Sequence, residues 1–264
     1  FEGEYINGER NGKGKEYDYG TLIFEGTYLK GKKWKGKKYE YENGELIYEG
    51  EYLNGEKNGK GKEYYNGELI YEGEYLNGER YGKGKEYVRE GKLIFEGEYY
   101  NGKMWNGKEY DKNGKLEFEI NNGNGRIKEY AKYYVDLRFE GEYLNGEKNG
   151  KGKEYYYGKL QFEGEYLKGK RSGKGKEYDD GRLIYEGEYL NGERNGKGKE
   201  YYSNGKLKFD GEYMKGKRWT GKKYNLKDNI EFEIKNGTGK VKEFYSDGKL
   251  KFEGEYLNGE RNGK

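Results

Sequence analysis

Residues 1–17 read Phe1-Glu-Gly-Glu-Tyr5-Ile-Asn-Gly-Glu-Arg10-Asn-Gly-Lys-Gly-Lys15-Glu-Tyr17, and the rest of the chain restates that phrase. Copies begin at Phe1, Phe24, Tyr48, Tyr71, Phe95, Phe118, Phe139, Phe162, Tyr185, Phe209, Phe232 and Phe252. A period of about 20–24 residues across the chain marks a repeat array, in which each unit buries its apolar face against its neighbours. In the first copy Phe1, Gly3 and Tyr5 alternate with Glu2 and Glu4, and Lys13, Lys15 and Tyr17 alternate with Gly12, Gly14 and Glu16. Period two is the pattern of a strand. Asn7-Gly8 and Asn11-Gly12 lie between the two runs and suit positive-φ positions. Asn43-Gly44, Asn66-Gly67, Asn113-Gly114, Asp180-Gly181, Asn204-Gly205 and Asp247-Gly248 mark a second series of turns. The expected fold is all-β: a single-layer, twisted antiparallel meander of hairpins, elongated like a solenoid.

A single register is expected within each hairpin. It sets Glu2 against Lys15, Gly3 against Gly14, Glu4 against Lys13 and Tyr5 against Gly12. One face then carries a Glu–Lys ladder, and the other carries aromatic rings over glycines. Phe1, Gly3, Tyr5, Gly12 and Gly14 are the expected structural positions of the repeat. Ring burial should hold the fold, while each cross-strand ion pair adds only about 0.2–1 kcal/mol.

The irregular copies sharpen this reading. The copies at Phe118 and Phe232 lack four residues of the first turn and the Tyr5 equivalent. The same register sets Glu119 against Lys128, Glu233 against Lys242, Ile120 against Ile127, and Ile234 against Val241. Apolar side chains thus refill a slot that has lost its covering ring. Three other copies drop one residue around the first turn and carry Trp34, Trp105 and Trp219 there. Those tryptophans are expected opposite Tyr28, Tyr99 and Tyr213. The variants recur in order, so residues 24–138 and 139–251 read as two five-repeat modules within one array spanning 1–264, with 252–264 a partial last repeat. Residues 131–138 lose the turn glycine that Gly248 supplies in the other module.

Composition excludes several functions. Leu, Ile, Val and Phe supply 41 of 264 residues, below the roughly 20% expected of ordered chains. With 34 Tyr and 53 basic against 50 acidic residues, however, the chain reads as ordered and aromatic rather than disordered. A net charge of +3 is no electrostatic footprint for nucleic acid. The absence of His and Cys removes nucleophilic triads and thiolate metal sites, and no cofactor is expected. The Gly-Lys-Gly-Lys strings lack the Ser/Thr and helix of a phosphate loop. No apolar run approaches the length of a membrane span. The start at Phe1 and the stop inside the twelfth repeat suggest a piece of something longer.

The phrase resembles the MORN repeat, the membrane-occupation-and-recognition-nexus family, in Phe1, Gly3, Tyr5, Gly8, Gly12 and Gly14, and again in Tyr48, Gly50, Tyr52, Gly55, Gly59 and Gly61. Tyr stands where that family usually has Trp. The Lys-Glu-Tyr ending with Asn-Gly-Lys-Leu is similar to a variant common in bacterial antitoxin-type proteins. The resemblance implies an extended sheet with a groove, and roles in scaffolding, in binding helical or extended peptides, in self-association and in phosphoinositide binding. The expected function is a non-catalytic module that binds a protein or peptide along an aromatic groove. The alternatives are an anionic-lipid recruitment module, a toxin-neutralising partner and the regulatory arm of a larger enzyme. A cytoplasmic place, membrane- or cytoskeleton-associated, goes with them. Trp34, Tyr81, Trp105 and Trp219 are the candidate partner contacts, and the open sheet ends are candidate self-association edges.

Overall fold

In the computed structural model, which describes residues 1–40, 42–111, 113–131, 136–245 and 249–262, the first turn of each regular repeat is a two-residue connection with both φ angles positive. They are 52° and 81° at Asn7-Gly8, and 51° and 86° at Asn77-Gly78. Such turns match the twist of the strands they join. The expected turn at Asp247-Gly248, the neighbouring Ser246, and residues 132–135 of the irregular connection lie outside the described residues. The described residues form strands and turns, with one turn of 3₁₀ helix at Arg89–Gly91.

The chain divides into two units, Phe1–Val135 with Tyr143–Gly146, and Asp136–Glu142 with Glu147–Lys264. In the first, eleven strands from Glu2–Ile6 to Leu116–Ile120 each pair antiparallel with the next in sequence. In the second, strands from Glu147–Tyr156 to Ile230–Ile234 follow the same meander, and Gly239–Phe244, Leu250–Leu257 and Glu260–Asn262 form a further small sheet. The all-β fold of open antiparallel hairpins is therefore as the phrase predicts.

The register holds in part. Glu2 pairs with Lys15 and Gly3 with Gly14, but next to the tight turn Ile6 pairs with Glu9. The turn and the glycine contact differ by two residues, which the second strand absorbs in a β-bulge. Tyr5 consequently faces Arg10 rather than Gly12, and Glu4 is not opposite Lys13. Instead Gly12 pairs with Tyr28 of the following repeat. The glutamate at the bulge takes a backbone donor: Glu51 accepts the N–H of Lys60 at 3.1 Å, and Glu188 that of Lys197 at 3.1 Å. Gly59 permits this, with φ +77° and a hypothetical Cβ only 2.1 Å from Glu51 Oε2.

In the Trp repeats the mismatch is one residue, and tryptophan occupies the bulge. Tyr28 faces Lys33, Tyr99 faces Met104 and Tyr213 faces Arg218, so the expected Trp–Tyr opposition is replaced by these pairs. In the clipped repeats the two strands scarcely pair. Between Leu116–Ile120 and Gly125–Tyr130 the described residues form the bridge Asn121–Asn124, and in the second unit Lys235–Thr238. Glu119 pairs with Lys108 and Glu233 with Lys222, not with Lys128 and Lys242. The Ile120–Ile127 and Ile234–Val241 pairs do not form as ladder partners. In a regular hairpin a Cβ on Gly73 would lie 2.7 Å from the Gly84 Cα, so two branched side chains cannot share that place and the strands part. Ile120, Ile127, Ile234 and Val241 are nonetheless buried, at 1, 4, 1 and 2% exposure.

The core is a row of edge-to-face rings. Phe1, Tyr28, Phe24, Tyr52, Tyr48, Tyr75, Tyr71, Tyr99 and Phe95 follow one another at centroid distances of 5.0–5.6 Å. Each such contact adds about 0.5–1.5 kcal/mol beyond burial. The leading ring of each hairpin lies on its glycine pair: a Cβ on Gly61 would sit 2.3 Å from Tyr48 Oη. Tyr5, on the first strand, packs on Phe1 alone and is 55% exposed, unlike its buried equivalents.

Candidate functional site

The ring face is closed. A layer of ion pairs lies over the rings, built from the basic residue after the first turn and the glutamate of Lys-Glu-Tyr. Glu63 is held by Lys57 at 2.6 Å and Arg80 at 2.8 Å, and Arg80 also reaches Glu86. Arg194 reaches Glu177 at 2.5 Å and Glu200 at 3.7 Å, while Arg218 meets Glu200 at 2.5 and 2.9 Å. The same cations stack on the leading rings, Arg80 4.0 Å from the centroid of Tyr71 and Arg194 4.0 Å from that of Tyr185. Burial pushes Glu63 and Glu200 up, but the adjoining cations outweigh it and hold each at about 2. The aromatic groove expected from the phrase is thus filled by its own rings and covered by this layer. The strand alternation placed Glu16 on the ring side, but the pairing of its equivalents with Arg10 equivalents went unread, because the bulge that aligns them is invisible in a period-two pattern.

The opposite face is open. Gly50, Gly61, Gly73 and Gly84 floor a groove of about 930 Å³, walled by lysines and glutamates from Lys35 to Lys108. Its ion pairs join neighbouring repeats, Lys62 to Glu72 at 3.7 Å and Lys85 to Glu96 at 3.8 Å. By strand alternation Leu29, Leu53 and Leu76 share the face of the wall glutamates, and all three are more than 40% exposed. In the phrase this leucine is the residue after the second aromatic, following Tyr28, Tyr52 and Tyr75.

The candidate contact residues separate. Trp34 is 51% exposed and Tyr81 38%. Trp105 and Trp219 are half-buried under the clipped hairpins. The Trp105 carbonyl accepts the Gly123 N–H at 2.7 Å and its ring lies over Gly123; Trp219 and Gly237 repeat this, also at 2.7 Å. Asn106 Oδ1 accepts the Asn122 N–H at 2.8 Å, and Thr220 Oγ1 that of Asn236 at 3.2 Å. Tyr81 leans on Tyr100, which leans on Trp105.

Beside each opened hairpin lies a cavity. In the first unit it measures about 330 Å³ and is lined by Arg80, Glu86, Val88, Ile94, Met104 and Lys128 among others. In the second it measures about 1240 Å³, with Lys223, Glu231, Val241 and Tyr245 in its wall. Among the described residues no group of three or more His, Cys, Asp or Glu could hold a metal ion.

The MORN repeat profile matches seven stretches, residues 1–20, 48–68, 71–88, 139–159, 162–181, 185–206 and 252–264, just over half of the chain. The chain belongs to the MORN repeat family. No curated relative matches it. The stretches outside the match, chiefly 21–47, 89–138 and 207–251, hold the three tryptophans and both clipped hairpins. Both places where the sheet opens, at the clipped hairpins, therefore lie outside the matched stretches, while the ring row runs through matched and unmatched repeats alike.

Proposed function

We propose that this MORN array is a non-catalytic scaffold that binds an amphipathic segment of a protein partner on its glycine-floored face. The observation that carries this reading is the exposed leucine column beside the Lys/Glu groove, on the face opposite the filled ring layer. Leucines of successive repeats stand two strands apart, about 9.5 Å, close to the roughly 10.5 Å covered by seven residues of a helix. The flanking charges alternate in sign, so they set register and exclude unmatched partners more than they add affinity. A photoreactive group placed at Leu76 is expected to capture a partner that the same group at Lys57, on the ring face, does not. The double variant Leu53→Asp, Leu76→Asp should lose that partner without a change in melting. Capture that survives the double variant, or that arises from the ring face alone, refutes the reading.

The lipid alternative has less behind it. Lys60 pairs with Glu74, Lys62 with Glu72, Lys83 with Glu98 and Lys85 with Glu96, so the attraction of each lysine to an anionic surface is locally cancelled. Strong pelleting with phosphoinositide vesicles at low salt would restore that alternative.

A further inference from the structure

The ion-pair layer of the first unit has a cation missing. In the regular repeats each inner glutamate is shared by the basic residue of its own repeat and that of the next. Glu16 lies between Arg10 and Lys33, Glu63 between Lys57 and Arg80, and Glu200 between Arg194 and Arg218. The position that should complete Glu86 is Met104. Glu86 keeps Arg80, and the following glutamate, Glu109, makes no ion pair among the described residues. Glu109 accepts the backbone N–H of Lys128 at 2.9 and 3.2 Å, because the Lys128 ammonium turns to Glu117 at 2.5–2.7 Å. The Glu109 side chain is 1% exposed.

The second unit shows what a complete site holds. There Arg218 occupies the position of Met104, with its Nε and a terminal nitrogen on Glu200 at 2.9 and 2.5 Å and its guanidinium 4.9 Å from the Phe209 ring. Tyr213, its cross-strand partner, donates to Glu200 at 2.9 Å. In the first unit Tyr99 is the cross-strand partner of Met104, Phe95 is the leading ring, and Glu86 is the carboxylate. The Tyr99 hydroxyl is buried on the Glu86 side of the ring row, without the well-formed bond that Tyr213 makes to Glu200. Space exists as well, since the 330 Å³ cavity has Glu86, Met104, Arg80 and Lys128 in its wall, with Val88 and Ile94 as its apolar side.

We propose that this cavity is a receptor for an alkylguanidinium, the group carried by an arginine side chain of a partner or by a small arginine-like ligand. The planar fork matches a carboxylate in two hydrogen bonds, and the alkyl stem fits along Met104, Val88 and Ile94. Burial pushes Glu109 up to about 8, with the Lys128 N–H and charge opposing and the Glu86 and Glu117 charges reinforcing. An entering cation would draw it back down and release a proton. This inference goes beyond the scaffold reading, because it concerns the ring face and stands or falls separately from the leucine column.

The test is calorimetric titration of the full chain at neutral pH with N-acetyl-argininamide, the isosteric uncharged N-acetyl-citrullinamide, and a pentapeptide with a central arginine. The arginine derivative should bind at least about tenfold more tightly than the citrulline one. Met104→Arg should fill the site from within, abolish binding and raise the melting temperature. Glu109→Gln should remove the proton release and weaken binding. A further gain of about tenfold for the pentapeptide identifies a partner side chain as the natural occupant, and equal affinity identifies a small ligand. No preference for arginine over citrulline, or binding unchanged in Met104→Arg, overturns the proposal. If Met104→Arg does not fold, unchanged arginine preference in Glu86→Gln, which removes the carboxylate of the cavity wall, overturns it alone.

Discussion

The ends of the two modules, residues 95–130 and 209–245, share one backbone plan and opposite electrostatics. Each has a tryptophan in a bulge, a clipped hairpin docked on the tryptophan carbonyl, and two aliphatic side chains closing the gap. In the first, the inner position is Glu109, buried at 1% exposure, and Met104 stands five residues before it on the same strand. In the second, the same position is Lys223, 7% exposed, paired with Glu231 at 2.5 Å, and Arg218 stands where Met104 does. The bulge, the turn and the aliphatic pair are thus what the architecture requires. The sign of the buried charge is not, provided that a counter-charge or a proton neutralises it.

The sharpest way to break the comparison is to exchange the partners of the inner carboxylates. Arg218→Met leaves Glu200 with Lys208 at 3.6 Å and Arg194 at 3.7 Å, so it should cost about 3 kcal/mol in chemical denaturation, the low end for a broken buried pair. Next in size is the tryptophan contrast. Trp105→Ala removes a half-buried ring that supports the clipped hairpin and should cost about 2–3 kcal/mol, whereas Trp34→Ala, without such a hairpin, should cost under about 1 kcal/mol. Equal losses would mean that the hairpin does not rest on Trp105.

The third prediction concerns pH. The Glu109 carboxyl titrates higher in the folded chain, near 8, than the roughly 4.3 of an unfolded glutamate. Its contribution is therefore complete below the unfolded value and is lost as pH rises through the folded one. Glu109→Gln should match the wild type near pH 5 and exceed it by about 1–3 kcal/mol at pH 9. Glu200, held at about 2, has the opposite window, its stabilisation falling away as pH drops from about 4.5 towards 2. Stability curves of wild type and Glu109→Gln that stay parallel from pH 5 to 9 would refute the assignment. The smallest effect belongs to the outer face: Lys62→Ala breaks a largely exposed pair at 3.7 Å and should change stability by no more than about 0.5 kcal/mol.

Much of this was legible in the chain. The Gly3–Gly14 contact, the positive φ at Asn7-Gly8 and the burial of Ile120, Ile127, Ile234 and Val241 follow from residue type and spacing. The bulge is not legible in the alternation, because a single register through Tyr5 and Gly12 satisfies the period-two pattern by itself. Two local preferences, the tight Asn-Gly turn and the glycine pair under the ring, disagree by two residues, and that conflict appears only when both are imposed together. The same conflict moves the tryptophans into bulges, away from the tyrosines, and takes the clipped hairpins out of a continuous ladder. Alternation alone leaves the ring face looking like an open groove.

The amino-acid sequence by itself determines the repeat, the strand pattern, the positive-φ turn positions and the ring-over-glycine face, because these depend on residue type and local spacing. Tertiary structure alone decided which residues of successive repeats meet. Arg80 is 17 positions from Glu63, and Glu109 is 19 from the Lys128 N–H that it accepts. Those distances close only when bulge, turn and ring stacking are satisfied at once. The gap that Met104 leaves in the cation layer is a property of that assembled row, and no single repeat contains it.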